Sequence, residues 1–409
     1  MVSASMNVGR LRQFFASSAL LALSACGSGE GGPTTTQPVP SAYAYVASAG
    51  ASPSSAGAIY EYGLMIDYSV SLLPQASITA GIYPAAVVVN QGHVYVVNVG
   101  DGTISQYNIA SDETLTPMNP ATVTNPGMHT FGVAPAAATI DSTGSFLYVT
   151  NAADNTLSQF SIGSDGRLTP LTPATVATGV DPVAIAAAPA VDSPPGYYVV
   201  NSGGPGSTGT VSLYASGENG TLTPVDSDTV ASGTNPSAIA VNYVFSIVYV
   251  LSNCDGAQCT GSIRQFALGA SGALTDTGAI ATTGSHYDAV NMVIDQNGAN
   301  SYAYVLSNEM EVDSNVGALW QYGVGSTGEL TAASPPMVNI GPVAVAQVVQ
   351  VDELYILTTN SGINANTAST GGSINFYGLG AGGAANLIAT ANISAPHPVT
   401  MGMLFLPAP

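Results

Sequence analysis

The chain has 409 residues, of which 46% are hydrophobic and only 7% charged, with 24 acidic against 4 basic side chains and a formal net charge of −20. No lysine occurs, so no basic patch for nucleic acid can be assembled, and almost nothing cationic is available to hold a phosphate. The apolar content is ample for a large core, yet no apolar run is long enough to span a bilayer as a helix.

The first segment reads as a leader. Arg10 and Arg12 give it a positive start, Phe14 to Leu23 a short apolar stretch, and Leu23-Ser24-Ala25-Cys26 a run of small residues ending on a cysteine. That order resembles the bacterial lipoprotein box, which implies removal of residues 1–25, lipidation of Cys26 and an address in the bacterial cell envelope. Membrane contact is expected through the lipid alone. Residues 26–40, rich in Gly, Pro and Thr, read as a flexible tether to a folded domain over 41–409.

From residue 41 onward one motif returns seven times, Tyr-Val or Tyr-Ile followed by a small polar turn. The tyrosines are Tyr45, Tyr95, Tyr148, Tyr198, Tyr249, Tyr304 and Tyr355, at intervals of 50, 53, 50, 51, 55 and 51 residues. A fixed period of this length marks a repeat architecture. Each unit carries four short runs that read as strands. Strand A opens in most units on a proline (Pro84, Pro135, Pro182, Pro236, Pro342, Pro398), where no ladder donor is lost. Strand B holds the repeated tyrosine. Strand C carries an aromatic residue (Tyr62, Tyr107, Phe160, Tyr214, Phe266, Tyr322, Tyr377), and Thr103–Ile109 and Thr156–Ile162 are near copies of it. Strand D begins Leu-Thr-Pro at Leu115, Leu168 and Leu222, twice after a tight reversal at Asp165-Gly166 or Asn219-Gly220.

Seven units of four antiparallel strands, without helical periodicity, predict an all-β, seven-bladed β-propeller. The first B strand, Ser41 to Ala49, has no A strand before it, and a spare A strand, Pro398 to Leu406, follows the last D strand. The C-terminal strand is therefore predicted to join the N-terminal blade and close the ring, which removes exposed sheet edges.

By analogy with other propellers, the D–A and B–C connections share one face around the channel mouth, and the A–B and C–D connections share the other. The distance from repeated tyrosine to C-strand aromatic runs 17, 12, 12, 16, 17, 18 and 22 residues, so the B–C loops vary sharply. Variable loops on a fixed scaffold are where binding usually resides. His129, His286 and His397 fall in D–A segments, with Asp181 and Asp288, as well as Tyr83 and Asn235, at comparable places. A histidine beside a carboxylate can act as general base on water, so the three histidines and two aspartates are the candidate catalytic residues. Their spread around the ring equally fits ordinary loop residues. His93, ahead of a B strand on the opposite face, reads as structural.

Cys254 and Cys259 share one loop, which in an exported chain reads as a local disulfide, and two cysteines without a nearby histidine make a poor metal site. Glu309, Glu311 and Asp313 form the one carboxylate cluster, either a hard-cation site or a solvated acidic loop. Asn98, Asn151 and Asn201, which end B strands, are predicted to satisfy backbone in the following turn. Gly378 to Gly383 matches G-x-G-x-x-G but opens no helix after a strand, so a dinucleotide site is excluded and no cofactor is expected.

Tyr148-Val149-Thr150-Asn151 spells the Tyr-Val-Thr-Asn motif. With the Leu-Thr-Pro beat and the proline-led A strands, residues 41–409 resemble the seven-bladed propeller lactonase family, which includes 6-phosphogluconolactonase-like proteins. The resemblance implies hydrolysis of a sugar lactone without a required metal. Arginines suited to a phosphorylated sugar acid are missing from the expected mouth, because Arg167 falls in a C–D turn and Arg264 within a C strand; a neutral lactone is the expected substrate. The rival expectation is a non-catalytic envelope propeller, recognising a glycan, peptide or protein through its long B–C loops. A monomer is expected in either case.

Overall fold

The computed structural model describes residues 40–126 apart from 51 and 53, 137–188, 196–225 apart from 205, 229–253, 260–294 apart from 286, 301–309, 316–342, 345–350, 355–360, 372–395 apart from 381 and 382, and 398–405. The leader, the tether up to residue 39, Cys26, Cys254, Cys259 and Pro135 lie outside the described residues.

The strands form seven antiparallel sheets, each with the order A-B-C-D from the inside outward. Blade 1 consists of β1 (Ala42–Ser48), β2 (Ala56–Leu64) and β3 (Val70–Ile82), completed by the C-terminal β29 (Pro398–Phe405). Blade 2 is β4 (Pro84–Asn90), β5 (His93–Asn98), β6 (Thr103–Ile109) and β7 (Leu115–Thr124). Blade 3 is β8 (Ala138–Ile140), β9 (Phe146–Asn151), β10 (Thr156–Ile162) and β11 (Leu168–Ala177). Blade 4 is β12 (Pro182–Ala188), β13 (Gly196–Asn201) and β14 (Thr208–Ser216), with its outer strand in two pieces, β15 (Leu222–Pro224) and β16 (Val230–Thr234). Blade 5 is β17 (Pro236–Asn242), β18 (Ile247–Ser252), β19 (Thr260–Leu268) and β20 (Leu274–Ser285). Blade 6 is β21 (Tyr287–Ile294), β22 (Tyr302–Glu309), β23 (Val316–Val324) and β24 (Leu330–Pro342), and blade 7 is β25 (Val345–Gln350), β26 (Tyr355–Asn360), β27 (Gly372–Leu379) and β28 (Ala385–Ile393).

The predicted seam is present. β29 pairs antiparallel with β1 from Ala42↔Phe405 to Ser48↔Pro398, and the A strands neighbour one another in a closed cycle from β29 through β4, β8, β12, β17, β21 and β25 back to β29. Pro84, Pro182, Pro236 and Pro398 open A strands as predicted. Pro342 does not; it ends the outer strand of blade 6, paired with Val316. The outer strands face solvent on their free edge, and prolines such as Pro117, Pro120, Pro170 and Pro173 remove donors there, which blocks edge-to-edge pairing with other chains.

Blades are held together by apolar packing with a polar latch inside it. The tyrosines at 45, 95, 148, 198, 249 and 304 have no solvent exposure. Each hydroxyl donates to a backbone carbonyl in the C–D turn of the next blade: Tyr45 to Glu113 (3.0 Å), Tyr95 to Gly166 (2.5 Å), Tyr148 to Gly220 (2.6 Å), Tyr198 to Gly272 (2.6 Å), Tyr249 to Gly328 (2.6 Å) and Tyr304 to Gly383 (2.8 Å). The receiving turn residue sits at φ between 63° and 86°, hence the glycine in five of these six turns. At Gly220 a Cβ would also collide with the Phe146 ring of the preceding blade. Four C-strand tyrosines answer in the other direction. Tyr107 donates to Thr79 O (2.7 Å), Tyr214 to Ala177 O (2.8 Å) and Tyr322 to Thr282 O (3.0 Å) of the preceding outer strand, and Tyr62 meets Ser394 Oγ (3.4 Å) across the junction of blades 7 and 1.

The asparagines behave differently from the prediction. Asn98 and Asn151 use Nδ2 to bind the hydroxyls of Thr103 and Ser105, and of Thr156 and Ser158, on strand C; Asn201 does the same with Thr210 and Ser212. The hydroxyls alternate along strand C and so face the asparagine across the B–C ladder. A turn amide is not the partner.

Candidate functional site at the channel mouth

Backbone hydrogen bonds fix which connections share a face. In blades 2, 4 and 5 the residue before strand A accepts from the residue that follows strand B: Val99 N–H to Tyr83 O (3.0 Å), Ser202 N–H to Asp181 O (2.8 Å) and Asn253 N–H to Asn235 O (2.9 Å). D–A corners and B–C loops therefore lie at one end of the ring. At the other end strand C closes on the A–B turn, as in Ile109 N–H to Gly92 O (2.8 Å) and Ile162 N–H to Ser145 O (2.7 Å).

The D–A corners are built on strained backbone. Tyr83, Asp181 and Asn235, each just before the proline that opens an A strand, adopt φ of 52°, 56° and 47°. A non-glycine residue in this region costs on the order of 1–3 kcal/mol, and such residues cluster at functional sites. Tyr83 stays 45% exposed and Val180, beside Asp181, 56% exposed, so apolar surface accompanies the polar groups at this end.

Asp181 is the best-anchored group of the mouth. Its N–H donates to Asn155 Oδ1 of blade 3 (2.7 Å), and its carboxylate accepts from the Ser202 hydroxyl of blade 4. It thus ties two blades together and presents a partly exposed carboxylate with one oxygen engaged. Asp101 is also at this end but spends both oxygens on structure, accepting from Thr103 and from Ile82 N–H (2.9 Å). Asn235 accepts from Gly206 N–H (3.0 Å).

The register places Asp288 at the same corner of blade 6. Ala289 pairs with Ser307 as Pro182 pairs with Asn201, so Asp288 is the counterpart of Asp181, two blades further round. His129, His286 and His397 lie outside the described residues, as do Glu311 and Asp313; the backbone of Glu309 ends β22 opposite Tyr287. Among the described residues no group of three or more His, Cys, Asp and Glu side chains could hold a metal ion. His93 is at the opposite end, bonded to Asn108 Oδ1 (3.1 Å) and packed on Gly166.

Neither arginine serves the mouth. Arg167, in a C–D turn, pairs with Asp165 (2.8 Å), and Arg264, on β19, with Asp276 of β20 (2.7 Å). The channel also holds a cavity of about 470 Å³ near the A–B end of blades 3 to 6, lined by Ile140, Ile185, Ile239, Met292, Ile294 and Tyr243. Among the described residues no carboxylate or histidine lines it.

The seven four-stranded sheets build a seven-bladed β-propeller. Residues 44–184, from blade 1 into the first strand of blade 4, match the family model described as "Lactonase, 7-bladed beta-propeller". No curated protein matches the chain by sequence. Among solved structures, a periplasmic gluconolactonase from Pseudomonas aeruginosa is similar, with a TM-score of 0.66 at 15% identity, covering 90% of this chain and 100% of that one. A Bacteroides uniformis protein, a candidate 6-phosphogluconolactonase, has a TM-score of 0.65 at 14% identity over 89% of this chain and 99% of its own. A Lactobacillus plantarum protein has a TM-score of 0.61 at 17% identity, over 88% and 99%. These likenesses establish the fold.

Proposed function

We propose that this chain is an exported, lipid-anchored propeller that opens a neutral sugar lactone at the D–A mouth. The observation that carries the reading is the pairing of a lactonase-type scaffold with a mouth that offers acceptors and an aromatic face without a cation. Asp181 provides a fixed carboxylate and Tyr83 an exposed ring, while both arginines beyond the leader are spent on Asp165 and Asp276. A hydroxyl-rich neutral ring can donate to the carboxylate and lie on the aromatic face. A phosphate would find no partner. His129, His286 and His397 enter this proposal as the bases that activate water, with Asp181 and Asp288 as their acidic neighbours. The similarity to the Pseudomonas aeruginosa gluconolactonase supports a neutral substrate and an address outside the cytoplasm.

The test uses protein from residue 27 onward, with lactone opening followed by pH-stat. Glucono-1,5-lactone should open faster than its spontaneous rate, and its 6-phosphate ester should gain little. Combined alanine replacement of His129, His286 and His397 should lower the rate by ~10²-fold or more, the usual contribution of general base catalysis. Preference for the phosphate ester, or full activity in the triple variant, would overturn this mechanism. Binding of the lactone without turnover would instead establish a recognition module.

A further inference from the structure

One polar joint recurs between blades, and one copy of it is inverted. In blades 2, 3 and 6 a glutamine precedes the aromatic residue of strand C at a bulge in the C–D ladder, where the outer strand bows away and leaves room for its side chain; Gln265 of blade 5 holds the same place but donates to Gly328 O of the next blade (3.0 Å). Gln106 accepts from Leu168 N–H of the next blade (2.8 Å) and donates to Pro120 O of its own (3.0 Å). Gln159 does the same with Leu222 (2.6 Å) and Pro173 (3.1 Å), and Gln321 with Ala385 (2.5 Å) and Pro335 (3.1 Å). In blade 1 the position is Glu61. Its Oε2 accepts from Leu115 N–H (3.1 Å), so the bond to the next blade is kept. The residue 14 positions on, which offers a proline carbonyl in the other copies, is here Gln75, whose Nε2 donates to Glu61 Oε1 (3.4 Å) and to Leu115 O (3.0 Å). Where a carboxyl stands in place of the amide, its partner is a donor in place of an acceptor.

Glu61 is fully buried. The titratable groups facing it are Tyr45 of β1, directly opposite in register, Tyr107 of β6, and Asp112 in the β6–β7 turn, whose Glu113 faces Tyr45. None is cationic. An ionised Glu61 would have one good donor, one long one and acidic neighbours. The neutral acid keeps an acceptor for Leu115 N–H and leaves Gln75 to its shorter bond with Leu115 O.

We propose that the joint between blades 1 and 2 is proton-linked: Glu61 carries a proton in the folded chain in mildly acidic surroundings and releases it to solvent as pH rises, weakening the blade that also holds the ring's seam. Burial, with Asp112 adding to it, pushes the Glu61 carboxyl up to about 7 against the pull of its Leu115 and Gln75 hydrogen bonds. A folded value raised above the unfolded one means that no penalty exists below about pH 4.5, that it grows up to about pH 7, and that it stays constant above. The glutamine joints cannot respond in this way.

Carbon-13 NMR of glutamate-labelled full chain should show one side-chain carboxyl titrating near neutrality, and Glu61→Gln should remove that resonance. The ratio of unfolding constants, wild type over Glu61→Gln, should rise by roughly 10- to 100-fold between pH 5 and pH 8.5, as a carboxyl raised from 4.5 to about 7 requires once the part already titrated at pH 5 is set aside. Every glutamate titrating below about pH 5, or parallel stability profiles, would overturn the proposal. Should Glu61→Gln fail to fold, the wild-type titration decides the matter alone.

Discussion

Replacement of Tyr148 tests the account of how the blades hold together. The side chain is fully buried, its ring meets Tyr197 of blade 4 edge-on at 4.6 Å, and its hydroxyl donates to Gly220 O at 2.6 Å. Tyr148→Phe removes only the hydroxyl and leaves a buried carbonyl without its donor, a loss of about 1–2 kcal/mol. Tyr148→Ala also removes the ring and opens a cavity between blades, and about 3–5 kcal/mol is the usual range for deleting a buried aromatic. The two variants should therefore separate clearly in urea unfolding followed by circular dichroism and by the fluorescence of Trp320, the one tryptophan. Combining Tyr148→Ala with Tyr197→Ala should expose a coupling of about 0.5–1.5 kcal/mol from the edge contact. An unchanged midpoint for Tyr148→Ala would refute the inter-blade role. Equal losses for the Phe and Ala variants would refute the division between ring packing and latch.

Gly220→Ala should destabilise by at least about 1–3 kcal/mol, because φ is 76° there and the added methyl meets Phe146; a neutral midpoint would show that the turn can adjust. Arg264→Ala should change stability by no more than about 1 kcal/mol, since its ion pair with Asp276 is partly exposed on the outer sheet; lactone turnover should not change. At the acid end, hydroxyl donors hold Asp67, through Ser69, and Asp112, through Thr114, below the usual carboxylate range. That stabilisation is present above the unfolded value and is lost as pH falls through the folded one, so Thr114→Val should lower the thermal midpoint at neutral pH, and the variant and wild type should converge as pH falls below about 4. Asp181→Asn keeps the Ser202 contact but removes the charge; it should weaken lactone turnover far more than it moves the unfolding midpoint.

The sequence by itself determined the ring. A tyrosine every fifty or so residues, an aromatic in each C strand and an A strand left over at the C-terminus allow only a closed seven-bladed arrangement, because period-two burial and strand pairing are local consequences of residue type. It also placed His93 and both arginines away from the mouth. What it could not yield was the partner of each repeated residue. The tyrosine hydroxyls end on carbonyls 68 to 79 residues ahead, and Gln106, Gln159 and Gln321 on amides 62 to 64 residues ahead, across a boundary that exists only once neighbouring blades dock. Glutamine precedes the C-strand aromatic at 106, 159, 265 and 321, while Glu61, Leu213 and Phe376 stand there in the other three units, and a buried carboxyl and a solvated one look identical in sequence. Tertiary structure alone put Glu61 out of water beside a donor and no cation, and brought the Asp181 carboxylate to Ser202 on a left-handed corner. Position in the repeat is local information, whereas desolvation and the identity of a hydrogen-bond partner are properties of the assembled ring.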